Sequence, residues 1–121
     1  MFATTIRFDM PADTDWELMR QRAVQAAFEQ FRLVPGLRAK AFVFSPERSE
    51  FGGNYVWETQ DDAESYLRSA AWRATVAALG EPTIERMEVS AYVECGDLVF
   101  PSSYEMKPSA GSASPAASAP S

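Results

Sequence analysis

Polar and apolar positions alternate along FATTIRFD (residues 2–9), which puts Phe2, Thr4, Ile6 and Phe8 on one side of a predicted strand. After Pro11 the period changes. Trp16, Met19, Ala23, Ala27, Phe31 and Val34 recur at steps of three and four, so the pattern predicts an amphipathic helix over 14–34. Thr14 and Glu17 stand at capping-box spacing at its start, and Pro35-Gly36 stops it. LRAKAFVFS (37–45) reads as a second strand, and PERSEFGG as the turn after it, with Gly52-Gly53 as the entry to a third strand, NYVWET (54–59). Thr59 and Asp62 are spaced to cap a second helix whose inner stripe is Ala63, Tyr66, Leu67 and Ala70. SAAWRATVAALG (69–80) continues that helix or forms another short one, closed by Gly80 and Pro82. TIERMEVSAYVEC (83–95) reads as one long last strand.

The resulting order, β-α-β-β-α-β, is that of the ferredoxin-like α+β fold: an antiparallel sheet with its helices on one face. A sheet covered on one side should alternate cleanly between apolar and polar residues. Several of these strands do not, since Phe42, Val43 and Phe44 follow one another, as do Tyr55, Val56 and Trp57. A second copy of the chain against the bare face answers that excess, so a homodimer is expected. The chain divides into a domain over 1–95, an arm over 96–107 that still holds Leu98, Val99, Phe100 and Tyr104, and a Ser/Ala/Pro tail over 108–121 with nothing to bury.

Composition narrows the function more by exclusion than by motif. With 17 acidic against 11 basic residues and a net charge of −6, the chain lacks the clustered cations of a nucleic-acid binder. No apolar run approaches the ~18 residues of a membrane span. The N-terminus MFATTIRFDM has no secretory-signal pattern, and the one cysteine, Cys95, excludes an internal disulfide; both fit a cytoplasmic location. There is no histidine, so a His-bound haem, a His-containing zinc site and a Ser-His-Asp triad are out of reach of this chain alone. No metal site is expected either: Asp61, Asp62 and Glu64 open the second helix and are explained by its dipole.

The candidate site rests on aromatics and on cations inside strands. Tyr55 and Trp57, two apart, share one strand face, and they either fill a core or line a pocket with Tyr66 and Trp72 opposite. Several aromatics with polar tips suit a flat aromatic ligand. Lys40, Arg7 and Arg86 interrupt apolar strand sequence; each either points to solvent or an edge, or, facing the pocket, stabilises a phenolate or enolate. No activated nucleophile or acid–base pair stands out.

VPGLRAK, a turn, and GGNYVWETQDDAESYL together resemble the ydhR type of monooxygenase family, within the dimeric α+β barrel superfamily. Pro35, Gly36, Lys40, Gly52, Gly53, Tyr55 and Trp57 carry the resemblance, and element order extends it over about 2–95. It implies a ferredoxin-like homodimer with its two sheets face to face, and a cavity in each subunit between sheet and helices. It implies, further, cofactor-free oxidation of a hydrophobic aromatic or polyketide-like molecule by O₂, as in related antibiotic-biosynthesis monooxygenases. Haem degraders of the superfamily pair a strand Trp with a His on the next helix. Trp57 resembles the first, but Tyr66 stands at the similar helix position, so that chemistry lacks its ligand. A dimer that binds a small molecule without catalysis, and a polyketide cyclase-like enzyme, remain as alternatives.

Overall fold

The computed structural model describes residues 1–94 and 96–99. Its elements are β1 (Phe2–Asp9), α1 (Trp16–Glu29), a 3-10 turn (Phe31–Leu33), β2 (Leu37–Ser45), β3 (Glu50–Trp57), α2 (Gln60–Tyr66), α3 (Ala70–Leu79), β4 (Thr83–Glu88), β5 (Tyr92–Glu94) and β6 (Asp97–Val99). The first four strands form one antiparallel sheet in the order β2-β3-β1-β4, and the helices pack on one of its faces. This is the α+β, ferredoxin-like arrangement that the element order predicts. Among the described residues no helix is long and apolar enough to cross a membrane. Cys95, most of the expected arm (100–107) and the whole tail (108–121) lie outside the described residues.

The helix-covered face is built by alternation. Phe2, Thr4, Ile6 and Phe8 are all buried, and Tyr55 and Trp57 lie beside Thr4 and Phe2 in the β1–β3 register. Cross-strand partners share a face, so these side chains form one layer under Ala63, Tyr66 and Trp72 of the helices. Burying an aromatic or branched side chain of this size contributes about 1.5–3 kcal/mol each. The same register puts Ala3, Thr5, Arg7, Ala39, Ala41, Val43, Asn54, Val56, Glu85 and Met87 on the face without helices.

Four boundaries differ from the sequence pattern, each for a physical reason. The first helix starts at Asp15, whose side chain accepts from the Leu18 N–H at 3.1 Å, because Thr14 is already turned back to the Pro11 carbonyl at 2.6 Å. It ends at Glu29 rather than near 34. The residue before a proline avoids helical backbone, and Val34 sits extended at ψ 126°. The chain therefore tightens into the 3-10 turn, which brings Phe31 over the sheet. The Gly52-Gly53 pair is no hairpin entry: it lies inside β3, paired to β1 and β2 on its two sides, and the turn is confined to residues 46–49. Finally, the last strand stops at Glu88. Among the described residues its neighbour in the sheet is β1, which begins at Phe2, and the ladder closes with the bond from the Val89 N–H to the Met1 carbonyl. Residues 92–94 turn instead through Gly96 (φ +89°) to pair with 97–99.

Candidate functional site

Over the middle of the sheet, between α1 and α3, lies a cavity of about 250 Å³. Its floor is Phe51, Gly53 and Tyr55 from β3 with Lys40 and Phe42 from β2; its sides are Met19, Ala23 and Ala26 from α1, Phe31 from the 3-10 turn, and Trp72 and Thr75 from α3. Small residues on α1 face large rings on the sheet, which is why space remains. The volume falls just under the ~300 Å³ at which drug-sized pockets begin, so the space suits a ligand of a few fused rings.

The aromatic side chains form one connected set. Tyr66 is its hub, with ring centroids 5.5 Å from Trp57, 5.7 Å from Trp72, 5.8 Å from Phe31 and 6.0 Å from Tyr55. Tyr55 stacks on Trp57 at 5.7 Å with their planes 6° apart. The two members of that pair differ in position. Tyr55 lines the cavity, whereas Trp57 lies behind it, 1% exposed, its indole N–H donating to the Thr4 hydroxyl at 3.1 Å. Trp57 thus supports the wall from the core. Burial holds both tyrosines protonated: it raises Tyr55 far above its usual range, with Tyr66 adding to the effect, and pushes Tyr66 up to about 12.

Lys40 is the one amine in this wall. It pairs across the ladder with Tyr55 and so points to the helix side. Its Nζ lies 3.2, 3.8 and 4.5 Å from the ring centroids of Phe31, Phe42 and Tyr55. Gly53 makes this approach possible, since a Cβ there would stand 2.9 Å from both Lys40 Cε and Tyr55 Cε1. Among the described residues no carboxylate comes within ion-pairing distance of Nζ. Burial pushes the ammonium down from 10.5 to about 7. The three ring faces act the other way, each contact favouring the cation by about 0.5–2 kcal/mol.

Of the seven residues that the sequence nominates, the structure brings Lys40, Tyr55, Tyr66 and Trp72 together around the cavity, with Trp57 packed directly behind. It does not bring in the two arginines. Arg7 lies on the opposite face, where it donates to the Asn54 side chain at 2.9 Å and to the Ile6 and Gly53 carbonyls. Arg86 sits at the β4 edge, held by Glu64 at 2.7 Å. Phe31, Phe42 and Gly53 are site residues that sequence reasoning missed; the signal was the two-residue step from Lys40 to Phe42 together with a glycine inside a strand. Among the described residues no three Cys, Asp or Glu side chains gather as a ligand set for a metal.

A family model described as "Putative mono-oxygenase ydhR" matches residues 5–94. No curated protein matches the chain. Solved structures do. The NE2512 protein of unknown function from Nitrosomonas europaea is 24% identical, with a TM-score of 0.60 over 75% of this chain and 90% of that one. The monooxygenase from the ActVA-Orf6 gene of Streptomyces coelicolor, in complex with nanaomycin D, is 19% identical, with a TM-score of 0.59 over 77% and 90%. SnoaB, a cofactor-independent oxygenase from Streptomyces nogalater, is 17% identical, with a TM-score of 0.54 over 73% and 91%. At these identities the likeness establishes the shared fold.

Proposed function

The chain belongs to the ydhR family, and on that premise we propose that it is a mono-oxygenase acting on a flat, hydrophobic aromatic molecule held in the cavity between sheet and helices. The observation that carries this reading is the wall itself: rings from Phe31, Phe42, Tyr55, Tyr66 and Trp72 line the cavity, and the first three surround an amine that has no carboxylate partner among the described residues. Such a wall binds a ring system by its faces and favours negative charge at one point on it.

That is what oxidation without a cofactor requires. An electron-rich phenol or anthrone becomes able to reduce O₂ once it has lost a proton. For a ring methylene the balance is R₂CH₂ + O₂ → R₂C=O + H₂O: one oxygen atom ends on carbon, and the other leaves as water with the two hydrogens. The protein holds the substrate, excludes water and stabilises the anion, which falls to Lys40. SnoaB, described as a cofactor-independent oxygenase on this fold, supports the same reading. The test is oxygen uptake with anthrone, measured above the buffer rate. We expect one O₂ consumed per ketone formed, with an atom of labelled oxygen in the ketone. A protein that binds anthrone and consumes no O₂ with it is a binding protein, and the mono-oxygenase reading falls.

The working unit is proposed to be a homodimer. Ala3, Ala39, Ala41, Val43, Val56 and Met87 share the face without helices, and Met87 is 63% exposed in the single chain. A second copy covering this face removes the exposure and leaves both cavities, on the other side of each sheet, open.

A further inference from the structure

The charges around the cavity do not follow the charge of the chain. Acidic residues outnumber basic ones 17 to 11, yet among the described residues no Asp or Glu lines the cavity, and its charged lining is Arg22 of α1 and Lys40. Behind the wall made by Phe31, Lys40 and Phe42 runs a groove at the β2 edge, and it adds Arg32 of the 3-10 turn and Arg38 of β2, again with no acid among the described residues. Arg38 is occupied by Glu58 at 2.8 Å, outside the groove. Tyr55 and Tyr66, which line the same cavity, stay protonated, so neither is a phenolate able to take a proton from a ligand.

We propose that the cavity takes hydroxylated aromatic molecules with an acidic hydroxyl, and that Lys40 is the group that accepts the hydroxyl proton, so that the ligand is held as its phenolate against the Lys40 ammonium. This rests on the aromatic-cavity reading above and adds to it the substrate class and the base.

A proton leaving a bound phenol needs an acceptor that is free and uncharged near neutrality. The guanidinium groups never serve, and the tyrosines are already protonated. Among the described residues Lys40 has no anion to hold it charged, and burial lowers its pKa from 10.5 to about 7, so free amine is present near neutrality. Once the proton has moved, two opposite charges face one another inside a wall of rings. At about 4 Å and an effective dielectric constant near 20, their attraction favours the transferred pair roughly a thousandfold. Without a ligand, the amine meets ring faces but, among the described residues, no anion. With one, it discriminates: a ring lacking the hydroxyl brings no anion to the half-buried amine.

The probe is 7-hydroxycoumarin, whose phenolate absorbs at longer wavelength than its neutral form, with 7-methoxycoumarin as the matched ring that has no proton to give. At pH 6.5, where free 7-hydroxycoumarin is mostly neutral, the full chain should bind it with the phenolate spectrum and about tenfold more tightly than the methyl ether. Lys40→Met should bind the two coumarins equally and show only the neutral spectrum; its binding of the methyl ether reports that the cavity is intact. A neutral spectrum on the wild-type protein overturns the proposal, and needs no variant to be read. A phenolate spectrum that survives in Lys40→Met overturns it too. If neither coumarin binds to the wild type, the aromatic-cavity reading itself fails, and the role of Lys40 with it.

Discussion

Trp57 tests whether the wall has been correctly divided into core and lining. Its indole is 1% exposed and donates to Thr4, which is also 1% exposed, so each is the other's buried partner. Trp57→Ala would remove a full bicyclic ring, about 3–5 kcal/mol, and strand the Thr4 hydroxyl, about 1–3 kcal/mol more. Against a total stability of about 5–15 kcal/mol that variant can fail to fold. Trp57→Phe is the better probe. It keeps a ring against Tyr55 and Tyr66 but loses the hydrogen bond, about 1 kcal/mol, and buried ring atoms worth one or two methylenes at about 0.8 kcal/mol each. The expected cost is about 2–3 kcal/mol. Thr4→Val should cost about 1–2 kcal/mol by leaving the indole N–H without an acceptor. The double variant should cost less than the sum by about 1 kcal/mol, because the second change removes a partner already lost. Urea unfolding with a common slope measures all three. Additivity within about 0.3–0.5 kcal/mol would mean that the bond contributes nothing. A Trp57→Phe variant with full stability and lost coumarin binding would put Trp57 in the cavity lining and refute the division made here.

The remaining expectations are narrower. Light scattering should return twice the mass of one chain, and Val56→Arg, on the helix-free face, should return one; a wild-type monomer at micromolar concentration would end the dimer proposal. Gly53→Ala should weaken coumarin binding at least tenfold, since the added methyl group meets Lys40 Cε and the Tyr55 ring at 2.9 Å; unchanged binding would show that the lysine need not lie where it does. Between pH 7 and about 10.5 the unfolded chain holds a proton on Lys40 that the folded chain has lost, so wild-type stability should rise with pH relative to Lys40→Met, by at most about 1.4 kcal/mol per pH unit. A flat difference over that range would show that the folded amine titrates normally. Truncation after Lys107 should move the thermal midpoint by no more than a degree or two, because 108–121 hold nothing that can be buried.

Which parts of this were legible in the sequence follows from how far each signal reaches. Alternation over 2–9 and the parity of Tyr55 with Trp57 are local, and both describe the buried face as it stands. Element order is also local, and with it came the fold. The end of the last strand was not legible, because Glu88 pairs with Phe2, where β1 begins, 86 residues away in sequence. The place of Gly52-Gly53 was not legible for the opposite reason: two glycines are a local turn signal, and only the neighbouring strands make them a strand interior. Gly53 has a neighbour's lysine where its own side chain would be.

The three strand cations separate on the same ground, and they decide how the site is read. Arg7 could have been set aside from the sequence, since it alternates with Ile6 and Phe8 and so cannot share their face. Arg86 could not: it lies on the helix side, and only the position of Glu64 on α2 shows that it is taken. Lys40 is the reverse case. Its strand is irregular between Leu37 and Ala39, so parity counted from Leu37 misplaces everything after it. The ladder pairing to Tyr55 corrects the count and turns the amine inward, and Gly53 and the 3-10 turn supply the room and the third ring. None of those conditions is visible at Lys40 itself. An amine whose orientation takes three separate elements to fix meets three ring faces but no counter-charge among the described residues. The physical reason for holding it there has to be sought in what the cavity binds.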